Sequence, residues 1–182
     1  MDSLALHTCC APCLIEPLRL LREDFDAITA VYYNPNIEPH DEYERRHDAL
    51  VTYARLVEVP YVELPYENAA WTATLAEAGV STARLETPER CEHCYRMRFE
   101  RVAKWATVHG FTHFATTLTV SPYQQRRVIE QVAREICARY DLVYAGRDFS
   151  EHFDDAQRRA RDLGLYRQSY CGCASGKQSR ET

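Results

Sequence analysis

A three-layer α/β domain, with a parallel sheet and helices on both faces, is the fold class this sequence predicts. Three observations carry the prediction. Short apolar runs alternate with amphipathic stretches along the whole chain. Parallel strands need crossover connections, and the amphipathic stretches are long enough to supply them. Glycine follows two of those stretches, at Gly110 and Gly164, where a helix ending in a left-handed residue favours it.

Taken in order, the chain opens on a strand at Leu4 to Thr8, and the loop Cys9-Cys10-Ala11-Pro12-Cys13 follows it. Ala27 to Tyr33 reads as the second strand and leads into Asn34-Pro35-Asn36. Tyr43, His47, Leu50, Val51, Ala54 and Val57 then keep helical spacing up to a third strand at Tyr61 to Leu64. Phe99, Val102, Ala103 and Ala106 mark a helix before the strand His113 to Thr117, with Ser121-Pro122-Tyr123 beyond it. Val128, Ile129, Val132, Ile136 and Tyr140 mark another before Asp141 to Tyr144. Asp148 comes next, and Phe153, Ala156, Ala160 and Leu163 form the last periodic stretch. Ligands of such sheets bind beyond the carboxyl ends of the strands, and that rim is where the unusual residues fall.

Seven of the eight cysteines sit in three clusters: Cys9, Cys10 and Cys13; Cys91 and Cys94; Cys171 and Cys173. The N-terminal residues show neither the basic nor the apolar region of an export signal, so disulfides are not expected and the protein is expected in the cytoplasm. No apolar run reaches the roughly 18 to 20 residues of a membrane span. A thioredoxin-like redox pair would leave five clustered cysteines unexplained. Structural zinc takes four thiolates in a closed tetrahedron, and a cubane iron-sulfur cluster also takes four. Seven divides into four for a 4Fe-4S cluster and three for a second, open metal position of catalytic type. Zinc sites and iron-sulfur chemistry both remain open on this arithmetic. Cys137 follows Ile136 on the apolar side of a helix and reads as a buried small hydrophobe.

Charge is uneven. Residues 1–120 hold 11 Lys and Arg against 18 Asp and Glu, whereas 121–182 hold 11 against 9. The overall charge of −5 argues against a generic nucleic-acid binder, yet the last third has the composition to face phosphate. His7, beside the first cluster, reads either as an orienting group or as a strand histidine satisfied by a backbone carbonyl.

The chain strongly resembles the iron-sulfur epoxyqueuosine reductases of the QueH family. The resemblance begins at Leu6-His7-Thr8-Cys9-Cys10-Ala11-Pro12-Cys13. It continues through Tyr33 to Ile37, Glu42-Tyr43 with Arg46, Arg90 to Tyr95, Thr116-Thr117-Leu118, Ser121 to Gln124 and Asp148-Phe149, and closes on Leu165 to Cys173. It implies a Rossmann-like fold similar to the PP-loop group. It also implies removal of the epoxide oxygen of epoxyqueuosine at the wobble position of tRNAs with GUN anticodons, the last step of queuosine biosynthesis. A 4Fe-4S cluster beside a mononuclear iron is implied, with Cys9, Cys10, Cys91, Cys94, Cys171 and Cys173 as cluster-binding candidates and Cys13 joining the metal ligands. Family members with Asp at the position of Cys13 make the second metal's ligand set the variable feature.

The residues permit this chemistry. Reducing an epoxide to an alkene consumes two electrons and two protons, and Asp148, Tyr33 and Tyr170 are the proton-donor candidates by their places on the rim. Nucleoside triphosphate binding is not expected, because the loop after the first strand has no glycine and its proline lacks an amide N–H. Further expectations are one metal-binding domain over 1–182 with segment 165–182 closing over the site, a monomeric state, and an unidentified electron donor. Arg46, Arg126, Arg127, Arg167 and Lys177 are expected to hold the RNA. The competing expectation is a zinc-stabilised RNA-binding module without redox activity.

Overall fold

The computed structural model describes residues 2–80 and 87–181. Its elements run β1 (Ser3–Thr8), α1 (Ala11–Leu21), β2 (Ala27–Tyr32), α2 (His40–Leu56), β3 (Tyr61–Glu63), α3 (Asn68–Glu77), α4 (Pro88–Val108) and β4 (His113–Thr116). After a 3-10 turn at Thr117–Val120 come α5 (Arg126–Arg139), β5 (Val143–Tyr144), α6 (Phe153–Asp162) and α7 (Ala174–Glu181). The five strands form one parallel sheet in the order β3-β2-β1-β4-β5.

Strand alternation divides the core in two. Leu4, Leu6, Ile28, Ala30 and Tyr32 pack with Leu14, Leu18, Leu50 and Ala156 on the face covered by α1, α2 and α6. Ala5, Val31 and Phe114 pack with Phe99, Val102, Ile129, Val132 and Ile136 on the face covered by α4 and α5. Both faces of the central strand are therefore dry, which is why β1 reads as an almost unbroken apolar run.

All five expected strands form. Three helices that the periodicity did not disclose, α1, α3 and α7, appear beside them. α1 carries Pro17 in its interior, which obscures a helical reading, while Pro12 sits near its start, where a missing N–H costs nothing. The first cysteine loop is consequently shorter than expected: Cys10 is the extended residue before the helix, and Cys13 lies in the helix's first turn. Cys91 and Cys94 also lie near a helix start, in α4, where the Thr87 side chain accepts from the Arg90 amide.

Successive strands are added to one side from β1 to β3 and to the other from β4 to β5, so the switch point at which parallel sheets open a crevice lies between β1 and β4. Cys9 leaves β1 there, its amide 3.4 Å from Thr117 Oγ1 just past β4. Among the described residues no helix is long and apolar enough to cross a membrane.

Candidate metal centre

Six of the seven clustered cysteines line two adjoining cavities, and Cys10 stands beside the first. Sγ atoms of Cys9, Cys10 and Cys13 all lie within 4.8 Å of one another, with Cys9 and Cys10 at 3.6 Å. Cys9 and Cys13 line one cavity with Arg46, Leu118, Gln124, Phe153, Gln168 and Tyr170. The second cavity is lined by Cys91, Cys94, Cys171 and Cys173, together with Trp71, Arg90 and Arg98. Cys171 and Gln124 border both. None of the eight cysteines is in a disulfide.

The C-terminal tail is brought to the site by specific bonds. Buried Arg46 is held by Glu42 at 2.8 Å and donates to the carbonyls of Tyr170 and Cys171, each at 3.1 Å. The Glu38 amide donates to the Gly172 carbonyl at 2.8 Å. Gly172 has φ 128°, and a Cβ there would stand 2.8 Å from Ile37 Cγ1, so only glycine lets the tail pass. At the start of α7 the Gly176 amide donates to Cys173 Sγ at 3.2 Å. Arg46 thus clamps the tail and is 1% exposed, which removes it from the residues expected to meet RNA. Arg126, Arg127, Arg167 and Lys177 are exposed.

The three proton-donor candidates lie in different places. Tyr170 lines the cavity of Cys9 and Cys13, and its hydroxyl donates to the Glu38 carbonyl. Burial foremost pushes that phenol up to about 12. Tyr33 donates to Glu67 Oε2 at 2.9 Å, and its phenol is raised by burial and by that carboxylate. Asp148 is paired with Arg126 and accepts from the Ser150 hydroxyl at 2.7 Å; bonds from Ser150, and Arg126 beside it, hold its carboxyl below the usual range. His7 is buried between Thr116 Oγ1 at 2.8 Å and the Tyr33 carbonyl at 3.3 Å, and burial, with Arg98 nearby, pulls it down to about 3. It is a neutral structural ring. Cys137 is buried in the core beside Ile136, its thiol pushed up to about 12 by burial.

The donor set fits a metal. Bonds from Cys10 and Cys13 hold the Cys9 thiol well below its ordinary value, whereas Cys10 is raised chiefly by burial and Cys13 chiefly by its neighbouring thiols. Three buried sulfurs this close cannot all ionise on their own; a metal cation would supply the missing charge. Gln168 points the same way: its Nε2 donates to Cys10 Sγ at 2.8 Å, leaving its own Oε1 buried without a partner. An amide N–H turned toward sulfur would favour the thiolate form that a metal ligand takes.

A family model described as epoxyqueuosine reductase QueH matches residues 4–179. The chain belongs to that family. QueH relatives include the epoxyqueuosine reductase QueH of Staphylococcus epidermidis, 32% identical over 93% of this chain and 74% of that protein. That of Thermotoga maritima is 32% identical over 95% of this chain and 89% of its own length. Among solved structures, the U34-tRNA thiolase NcsA from Methanococcus maripaludis with its [4Fe-4S] cluster aligns with TM-score 0.52 at 11% identity, over 92% of this chain and 58% of the thiolase. That likeness is one of fold, an α/β domain with a parallel sheet and helices on both faces.

Sequence reasoning passed over Gln168 and Arg98. Arg98 stands four residues after Cys94, a spacing that shares a helix face once α4 is known to begin at Pro88. Gln168 carries no comparable local signal, because its partners lie more than 150 residues away.

Proposed function

We propose that this chain reduces the epoxide of epoxyqueuosine at the tRNA wobble position to the alkene of queuosine, the last step of that nucleoside's biosynthesis. One observation carries the reading: in a QueH chain, seven cysteines, six of them buried and none in a disulfide, group as three and four around adjoining cavities at the sheet's switch point. The zinc-held, redox-inactive alternative is not favoured.

Cys91, Cys94, Cys171 and Cys173 are the residues to hold a 4Fe-4S cluster, and Cys9, Cys10 and Cys13 those to hold a mononuclear iron. When bound, these supply electrons one at a time at low potential and a Lewis acid for oxygen. The chain's own side chains do the rest. Gln168 fixes Cys10 and Cys13 through its amide. Leu118 and Phe153 wall the cavity and exclude water. Breaking both C–O bonds of the epoxide releases the oxygen as water, which takes up two protons. Tyr170 Oη holds a proton at neutral pH and is the donor best placed to give one. Asp148, ionised, orients Arg126 at the adjoining groove with Arg127. Tyr33, paired with Glu67, supports the sheet rim.

The anticodon loop is the RNA element that fits, because its bases can be splayed into a crevice while exposed Arg127, Arg167 and Lys177 meet phosphate. The segment 165–181 is its cover, Thr182 lying outside the described residues. We place the reaction in the cytoplasm, where clustered thiols stay reduced, and assign it to a monomer served by a separate electron donor.

Anaerobically purified protein should be brown, contain iron and sulfide, and convert epoxyqueuosine-tRNA to queuosine-tRNA with dithionite, followed by mass spectrometry of the released nucleosides. Colourless protein holding zinc without sulfide would overturn the reading.

A further inference from the structure

Among the described residues, Arg98 is a buried guanidinium without a carboxylate partner. It is 3% exposed, on the face of α4 that carries Cys94 one turn earlier. Nη2 donates to Asn34 Oδ1 at 2.5 Å, and Nη1 stands 3.8 Å from Cys94 Sγ. Nε has no partner, and among the described residues no carboxylate lies within ion-pair distance of the group. Arg46, comparably buried, is paired with Glu42 at 2.8 Å. Burying a lone charge is costly, and a fold keeps one only where an opposite charge meets it.

The position of Arg98 says what that charge is. Its head lines the cavity of Cys91, Cys94, Cys171 and Cys173. Through Asn34, whose Nδ2 donates to the Thr8 carbonyl at 3.0 Å, it is also tied to the end of β1, one residue before Cys9. The cation therefore stands between the group of four cysteines and the group of three. Neighbouring His7 is buried, and hydrogen-bonds to the Thr116 hydroxyl and the Tyr33 carbonyl.

We infer that Arg98 is the built-in counter-charge of the loaded thiolate centre, and that its positive charge raises the potential at which the centre accepts an electron. The inference rests on the iron-sulfur reading above. Four thiolates around an iron-sulfide core are net negative, and each electron added makes them more so. A fixed cation at hydrogen-bond range of one ligand stabilises the reduced form more than the oxidised form. Arg98 is thus a positioning residue for electron entry, acting through Cys94 and without touching substrate.

The test compares Arg98→Lys, which keeps the charge, with Arg98→Gln, which keeps a donor for Asn34 and removes it. In redox titrations of anaerobic holoprotein followed by electron paramagnetic resonance, Arg98→Gln should lose at least tenfold in reduced-to-oxidised ratio at a fixed ambient potential. That is a shift of about 59 mV to more negative values for a one-electron couple. Arg98→Lys should stay near wild type. Melting of the metal-free chain should go the other way, with Arg98→Gln at or above wild type because a lone buried charge is gone. Failure of Arg98→Gln alone to retain iron and sulfide also supports a charge requirement. An unchanged potential in loaded Arg98→Gln, equal losses in both variants, or a metal-free Arg98→Gln chain that melts below wild type would overturn the inference. Wild-type protein without iron and sulfide would instead sink the functional reading, whatever the variants do.

Discussion

Gln168 and Cys10, 158 residues apart, meet at 2.8 Å through the glutamine Nε2, and the same nitrogen stands 3.7 Å from Cys13 Sγ. An amide N–H facing both sulfurs would orient them and lower the cost of their charge when they bind a metal as thiolates. Hydrogen bonds to charged groups contribute about 1.5–3 kcal/mol, and loss of such an outer contact commonly weakens metal binding about 10- to 100-fold. Gln168→Leu should lower metal affinity at the Cys9, Cys10 and Cys13 site within that range while the other four cysteines keep their iron and sulfide, as read by metal analysis after graded chelation. Gln168→Glu should be worse, since a carboxylate would face the same sulfurs.

Cys13 belongs to the group of three. Cys13→Ala should keep the cluster's visible absorbance, lose about one iron per chain if Cys13 is a required ligand of a one-iron site, and fail to convert epoxyqueuosine-tRNA. Cys13→Asp should restore part of the activity. Cys94→Ala should instead bleach the protein. Bleaching by Cys13→Ala, or full activity in it, would end the three-and-four division.

Cys137 is 2% exposed in the core formed by α4, α5 and the sheet. Cys137→Ala should retain full iron content and turnover at a stability cost of about 1 kcal/mol, measured by chemical denaturation. Iron loss in that variant would show that it reaches the site.

Tyr170→Phe removes the proposed donor hydroxyl, together with its bond to the Glu38 carbonyl, and leaves the backbone clamp from Arg46 in place. Turnover should fall about 100-fold, within the usual range for a general acid, while iron content and absorbance stay unchanged. Asp148→Asn should change turnover far less, because that carboxyl is already ionised against Arg126. Equal losses in the two variants would argue against Tyr170 as the donor.

Charge reversal at Arg127 and Arg167, both exposed, should weaken tRNA binding and flatten its dependence on salt by about one phosphate contact per residue. Filter binding across a salt series reads both quantities. The same affinity and slope as wild type would move the RNA to another face.

How much was legible follows from range. Strand and helix patterns are local, since burial of alternate or every third and fourth residue is written along consecutive positions. Leu4 to Thr8, Ala27 to Tyr33 and the Ile129, Val132, Ile136 series therefore announced their elements, and the density of thiols at Cys9, Cys91 and Cys171 announced metal chemistry. Pro17 hid α1, because a proline is ordinarily a helix breaker. Arg46 looked like one more surface cation until α2 and the tail were brought together. The sheet order β3-β2-β1-β4-β5 decided which thiols share a cavity, and it set Gln168 on Cys10 and left Arg98 among sulfurs with no carboxylate. Such contacts join residues up to 158 positions apart. No periodicity carries them, because a side chain's partner across the sheet depends on how the crossovers stack rather than on its neighbours in the chain.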